Sequence, residues 1–179
     1  MKSVVTIGLL AATGIFSNVH ATESSEAGVY IGLGAGKSTL SSKYVEDSSD
    51  PAFSVNAGYK FNSTLAVEIF ARSMSFRLGQ NLPAILAGDD SYYPDNHYGT
   101  ALIASVPLAK DVNLYGRAGI GRTKMESSFA AKPSYNKTEA SYGVGARYAF
   151  SPLFSMNLEA TRFAKSEVNT FLLGVEWTF

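Results

Sequence analysis

The sequence has 179 residues, no cysteine, 15 Lys+Arg against 15 Asp+Glu, and only 17% charged residues, where a soluble domain carries roughly 25%. One domain fits this length, and the missing cysteines exclude disulfides, thiolate metal sites and cysteine nucleophiles. Balanced charge without a Lys/Arg run argues against nucleic-acid binding, which needs a basic excess.

In chain order, Lys2, the apolar run from Val4 to Phe16 and the small-residue pattern Val19-His20-Ala21 read as an export signal cleaved after Ala21. Residues 1–21 are therefore expected to be a signal peptide and 22–179 the folded domain. Beyond the signal no apolar stretch reaches the roughly 18 residues of a membrane-spanning helix. The remaining chain is patterned with period 2. Phe53-Ser-Val-Asn-Ala-Gly-Tyr-Lys-Phe61 alternates apolar and small or polar residues without a break, the pattern of a strand with two unlike faces. The same alternation predicts eight strands, at 28–37, 53–61, 65–75, 98–107, 112–123, 139–150, 154–164 and 168–179. Each is long enough to cross a bilayer when tilted, and longer than the roughly 5 to 6 residues of an average soluble strand.

The connections alternate in kind. Short turns are predicted at 62–64, 108–111 and 151–153, longer polar loops at 38–52, 76–97 and 124–138, and a last short connection around Ser166-Glu167. With the N-terminus in the periplasm, the short turns fall inside and the loops outside. The polar face is rich in glycine (Gly32, Gly34, Gly36, Gly58, Gly99, Gly119, Gly121, Gly143, Gly145 and Gly174), which suits a crowded interior better than a solvated sheet surface. Aromatics gather on the apolar face near the short-turn ends. Tyr59, Phe61, Tyr148, Phe150, Phe154, Trp177 and Phe179 form an expected interfacial girdle, and Phe53, Tyr98, Tyr142 and Phe171 a smaller outer group. An even number of strands closes without an edge. The expected fold is all-β, an eight-stranded antiparallel up-and-down transmembrane β-barrel in a bacterial outer membrane.

The stretch Ala57-Gly58-Tyr59-Lys60-Phe61-Asn62-Ser63-Thr64-Leu65-Ala66-Val67-Glu68, the segment Leu114-Tyr115-Gly116-Arg117-Ala118-Gly119 and the ending Trp177-Thr178-Phe179 resemble the OmpA-like small outer-membrane barrels. The resemblance covers essentially the whole chain after the signal. It implies that the terminal Phe179 is read by the barrel-assembly machinery, and no peptidoglycan-binding domain is expected after the barrel.

Strand parity places Lys60, Glu68, Arg72, Arg117, Arg147, Glu159 and Glu176 inside. An eight-stranded barrel is filled by its side chains, so these charges are expected to pair with one another, Arg147 with Glu159 across the sixth and seventh strands. The resemblance implies a plug built on a third-strand glutamate and later basic residues, a plug that some members open. Glu68 and Arg117 match it. Asn157 stands where an arginine is familiar and Arg147 where an acid is, which suggests that the cation has moved to the sixth strand.

Other candidate chemistry is thinner. Gly32 to Thr39 lacks phosphate-loop spacing, because Ile31 stands where that pattern needs glycine. Lipid A deacylase barrels use a His-x-Ser arrangement. Here His97 is followed by Tyr98 and Gly99, so His97 is expected to be an interfacial or solvated residue and catalysis is not expected. No metal site or cofactor is expected; the acids Glu46, Asp47, Asp50, Asp89, Asp90 and Asp95 read as solvated loop residues. Leu82 to Leu86, with Tyr92 and Tyr93, form an apolar loop surface. The expected role is structural or surface-interacting: envelope integrity, adhesion or loop-mediated binding. Expected partners are outer-membrane lipids and lipopolysaccharide, the assembly machinery and a host or phage ligand at the loops. A small-solute channel is the alternative, and a lipid-modifying enzyme a more distant one.

Overall fold

The computed structural model describes residues 27–40, 49–74, 92–127 and 133–179. Eight antiparallel strands, β1 (Gly28–Leu40), β2 (Ser49–Lys60), β3 (Leu65–Ser73), β4 (Tyr92–Ala109), β5 (Val112–Ser127), β6 (Tyr135–Ala149), β7 (Phe154–Phe163) and β8 (Val168–Thr178), close into one barrel. Each strand pairs with its neighbours in sequence, and β1 pairs with β8 from Tyr30↔Thr178 to Leu40↔Val168. The seam extends by one backbone bond, from the Phe179 N–H to the Val29 carbonyl at 2.8 Å.

Alternation makes this register the stable one, since a slip of one residue would turn every apolar side chain inward. Each strand shows one such residue on the outside at mid-height: Leu33, Val55, Ile69, Leu102, Ile120, Val144, Leu158 and Leu173, all between 52% and 67% exposed. A continuous apolar belt far exceeds the patch of roughly 300–600 Å² that a soluble monomer shows, so the outer wall is built for an apolar surrounding. The inner face holds small, polar and charged residues together with a few large ones, among them Tyr30, Phe70, Tyr115 and Phe163.

Short connections cluster at the end that bears the termini. Asn62 Oδ1 accepts the Thr64 and Leu65 N–H groups, both at 2.8 Å, β4 passes to β5 through Lys110-Asp111, and Ser151 Oγ accepts the Phe154 N–H. At the other end the strands run past their expected limits. β4 starts at Tyr92, β5 continues to Ser127 and β6 starts at Tyr135. β1 and β2 likewise extend to Leu40 and back to Ser49, and β3 runs to Ser73. Both prolines of β4 sit at register shifts, Pro94/Asn96 and Pro107/Ala109, where a missing N–H is tolerated. The expectations for residues 1–21, for Glu46, Asp47, Asp89 and Asp90, and for Leu82 to Leu86 lie outside the described residues.

Candidate functional site

The strands deliver the seven expected lumen residues to the barrel axis in layers. Nearest the termini, Glu176 lies between Lys60 Nζ at 2.6 Å and Arg147 Nη2 at 3.0 Å, and Lys60 also donates to Thr178 Oγ1. At mid-height Arg117 donates from Nε and Nη2 to Glu68 Oε1, at 3.0 and 2.8 Å. Tyr30 OH and Asn56 Nδ2 donate to the other oxygen of Glu68. Arg72 Nη2 lies 2.7 Å from Glu159 Oε1 and its Nη1 donates to Thr170, while Tyr115 and Thr161 complete the Glu159 shell. Arg147 thus reaches Glu176 at its ion-pair distance, and Arg72 takes Glu159, the partner expected for Arg147. The reason is register: Glu159 stands opposite Gly145, two pairs away from Arg147↔Asn157, leaving its carboxylate to the arginine arriving from β3.

The two halves of the barrel repeat one unit. In each, a tyrosine faces a glycine across the strand pair, Tyr30↔Gly58 and Tyr115↔Gly145. Its hydroxyl bonds a glutamate, and a cation two residues past the glycine lies over its ring: Lys60 on Tyr30 at 5.2 Å, Arg147 on Tyr115 at 5.1 Å. The glycines are required for space, since a Cβ on Gly58 would stand 2.5 Å from the Tyr30 ring and one on Gly145 would meet Tyr115. Gly145→Ala is expected to displace Tyr115 and cost about 1–3 kcal/mol; a lower urea midpoint of the folded barrel in detergent, at unchanged slope, checks this.

A third layer closes the far end. His97, which the sequence placed at a solvated junction, is wholly buried, because the alternation continues inward one residue from Tyr98. Its ring stacks on Phe70 and tilts against Phe163. Its Nδ1 lies 2.8 Å from Thr123 Oγ1, which donates to Glu139. The second Glu139 oxygen accepts the Lys165 and Ser166 N–H groups and the Ser166 hydroxyl, fastening the β7–β8 turn, where Glu167 holds a φ of 57°. Met74, Phe163 and Val168 form an apolar cluster here. A buried histidine whose free Nε2 has no hydrogen-bond partner and which no solvent reaches has no access for a substrate.

Sequence reasoning missed Tyr30, Asn56, His97, Thr123 and Glu139 as members of the interior network. Parity was the available signal for Tyr30, Asn56, Thr123 and Glu139, which lie within the predicted strands. Between the layers lies a polar cavity of ≈ 30 Å³ bordered by Asn56, Arg72, Arg147, Asn157, Glu159 and Glu176, room for about two waters. Among the described residues no group of three His, Cys, Asp or Glu side chains is arranged to hold a metal ion.

On the outer wall, Tyr59, Phe61, Tyr148, Phe150, Trp177 and Phe179 are exposed and Phe154 partly so. Tyr148, Phe150, Phe154 and Trp177 form a chain with ring centroids 4.8 to 5.6 Å apart.

Solved structures with this architecture include Ail, the attachment invasion locus protein of Yersinia pestis, in complex with the heparin analogue sucrose octasulfate. It is 24% identical, with a TM-score of 0.58 over 87% of this chain and 100% of that one. Neisserial surface protein A is 17% identical, with a TM-score of 0.59 over 87% and 100%. The N-terminal β-barrel domain of Pseudomonas aeruginosa OprF is 13% identical, with a TM-score of 0.56 over 84% and 97%. At these identities the likeness is one of fold. No curated protein matches the sequence. Residues 7–179 match the family model described as outer membrane protein beta-barrel domain.

Proposed function

The chain belongs to the outer membrane protein beta-barrel domain family, and from that membership we propose that it is a closed, non-enzymatic barrel of the bacterial outer membrane whose outer loops present a binding surface. The observation that carries the closed lumen is the filled interior. Seven charged side chains pair in two layers, an apolar cluster covers the far end, and the cavity between them has the volume of about two waters. With transport set aside, the parts free to vary are the loops, where function in such folds resides. The sulfated sugar held by Ail makes an anionic glycan the first loop ligand to test, alongside a host or phage receptor. Phe179, at the β1–β8 seam, is the residue we assign to the assembly machinery. The aromatic belt sets the depth in the bilayer.

Purified folded protein in a planar bilayer tests the closed lumen. The expected trace has no unitary steps in molar salt, for wild type and for Glu68→Ala alike. Stable steps in wild type would overturn the closed lumen in favour of a small-solute channel.

A further inference from the structure

The two lumen layers nearer the termini do not balance in charge. Among the described residues they hold four cations, Lys60, Arg72, Arg117 and Arg147, against three carboxylates, Glu68, Glu159 and Glu176. The other buried carboxylate, Glu139, lies one layer further out, where two backbone N–H groups and two hydroxyls bond it. Around the ≈ 30 Å³ cavity between the layers, the carboxylates are already engaged. Glu68 is held by Arg117, Tyr30 and Asn56, Glu159 by Arg72, Thr161 and Tyr115, and Glu176 by its ion pairs with Lys60 and Arg147. What remains on the cavity wall is a pair of donors. Arg72 and Arg147 both border the cavity, and the Nε of each is buried without a hydrogen-bond partner. The Arg72 side chain is only 4% exposed.

From this imbalance we propose that the lumen binds one small monovalent anion, chloride, between Arg72 and Arg147. A buried charge without a counter-charge is costly, and a guanidinium N–H left unbonded is a donor with no acceptor of its own in reach. Chloride supplies both the charge and the acceptor. The ion is little larger than a water molecule, so a space for about two waters admits it and excludes phosphate and sulfate. Asn157 stands across the strand pair from Arg147 and borders the same cavity, where it adds a neutral amide. Access is from one side. The Lys60 and Arg147 side chains keep 13% and 12% of their exposure, whereas His97, Phe163 and Val168 close the far end at 2% or less. The ion therefore enters and leaves at the end that bears the termini, and its binding involves no passage through the barrel. This site goes beyond the loop function proposed above and does not depend on it.

The test unfolds the purified barrel with urea in detergent at fixed ionic strength, while sodium chloride replaces sodium gluconate, whose anion is too large for the cavity. An ion bound only by the folded state raises the folded-to-unfolded ratio about tenfold per decade above its dissociation constant, and that rise is expected between about 1 mM and about 0.3 M chloride. Asn157→Asp is expected to abolish the response, because its carboxylate supplies the missing charge opposite Arg147. A wild-type midpoint that ignores chloride overturns the site and leaves the cavity to water. An equal response in Asn157→Asp overturns it in favour of a general salt effect. A band that shifts on boiling shows that the variant is folded; if Asn157→Asp lacks it, Arg147→Gln takes its place, leaving three cations against three carboxylates. Crystals of wild type soaked in sodium bromide locate the ion. An anomalous peak is expected at hydrogen-bond distance from the Nε of Arg72 or Arg147, and peaks confined to the outer surface, adventitious ions only, overturn the assignment. Unitary steps in the planar bilayer would overturn the closed lumen and leave the chloride response standing, so the two readings fail separately.

Discussion

Arg117→Met is expected to lower the unfolding free energy of the barrel by about 3–5 kcal/mol, the usual result of leaving a buried charge without its partner. Glu68 would keep its bonds from Tyr30 and Asn56 but lose both guanidinium donors, and Phe70 would lose the cation 3.9 Å above its ring. The second half of the experiment identifies the cause. Glu68→Gln with Arg117→Met removes the charge and its counter-charge together, and Gln still accepts the tyrosine and asparagine bonds. Most of the loss should then return. Urea titration of the folded band in detergent measures both variants; a double variant no more stable than the single one would assign the loss to packing and not to charge.

Glu139→Ala is expected to cost about 3 kcal/mol, concentrated in one place. Its carboxylate is buried and takes two backbone N–H groups and two hydroxyls, and charge-assisted bonds of this kind carry roughly 1.5–3 kcal/mol each before the chain relaxes. The β7–β8 turn should loosen, so the Lys165 and Ser166 amides are expected to exchange with deuterium on the order of a hundredfold faster, while β1 to β3 keep their protection. Uniform loss of protection throughout the barrel would contradict a local latch.

The wall of the barrel was legible in the sequence because one periodic signal encodes it. From Phe53 to Phe61 or from Phe171 to Phe179 each odd residue meets the apolar surrounding and each even one the interior, and no competing pattern exists. The signal fades at the outer strand ends. Residues 92–97, 124–127 and 135–138 continue in the sheet but do not alternate apolar with polar residues in the sequence, so alternation gives no mark and they read as loop. His97 was misplaced for that reason: Pro94-Asp95 before it has turn character, yet a register shift absorbs the proline and the strand carries on. Glu139 lay within an expected strand, and its inward parity followed from Tyr142 and Ala140. The partner of Arg147 was not legible, since several acids lie within reach of an arginine in a narrow lumen and the closed register decides among them.

Among the described residues, the short ion pairs of the lumen share a further property. Glu68 and Arg117 join β3 to β5, Arg72 and Glu159 join β3 to β7, and Glu176 joins β8 to both β2 and β6. None of them links adjacent strands, so none can form within a two-stranded hairpin, and the pair from Glu176 on β8 to Lys60 on β2 spans the β1–β8 seam. Until β8 meets β1, Lys60 lacks its partner Glu176 and the inner face stays open to water. Closure is then a slow, all-or-none step, as expected for contacts distant in sequence, and a chain halted before it would present a charged, wet inner face that distinguishes it from the finished barrel.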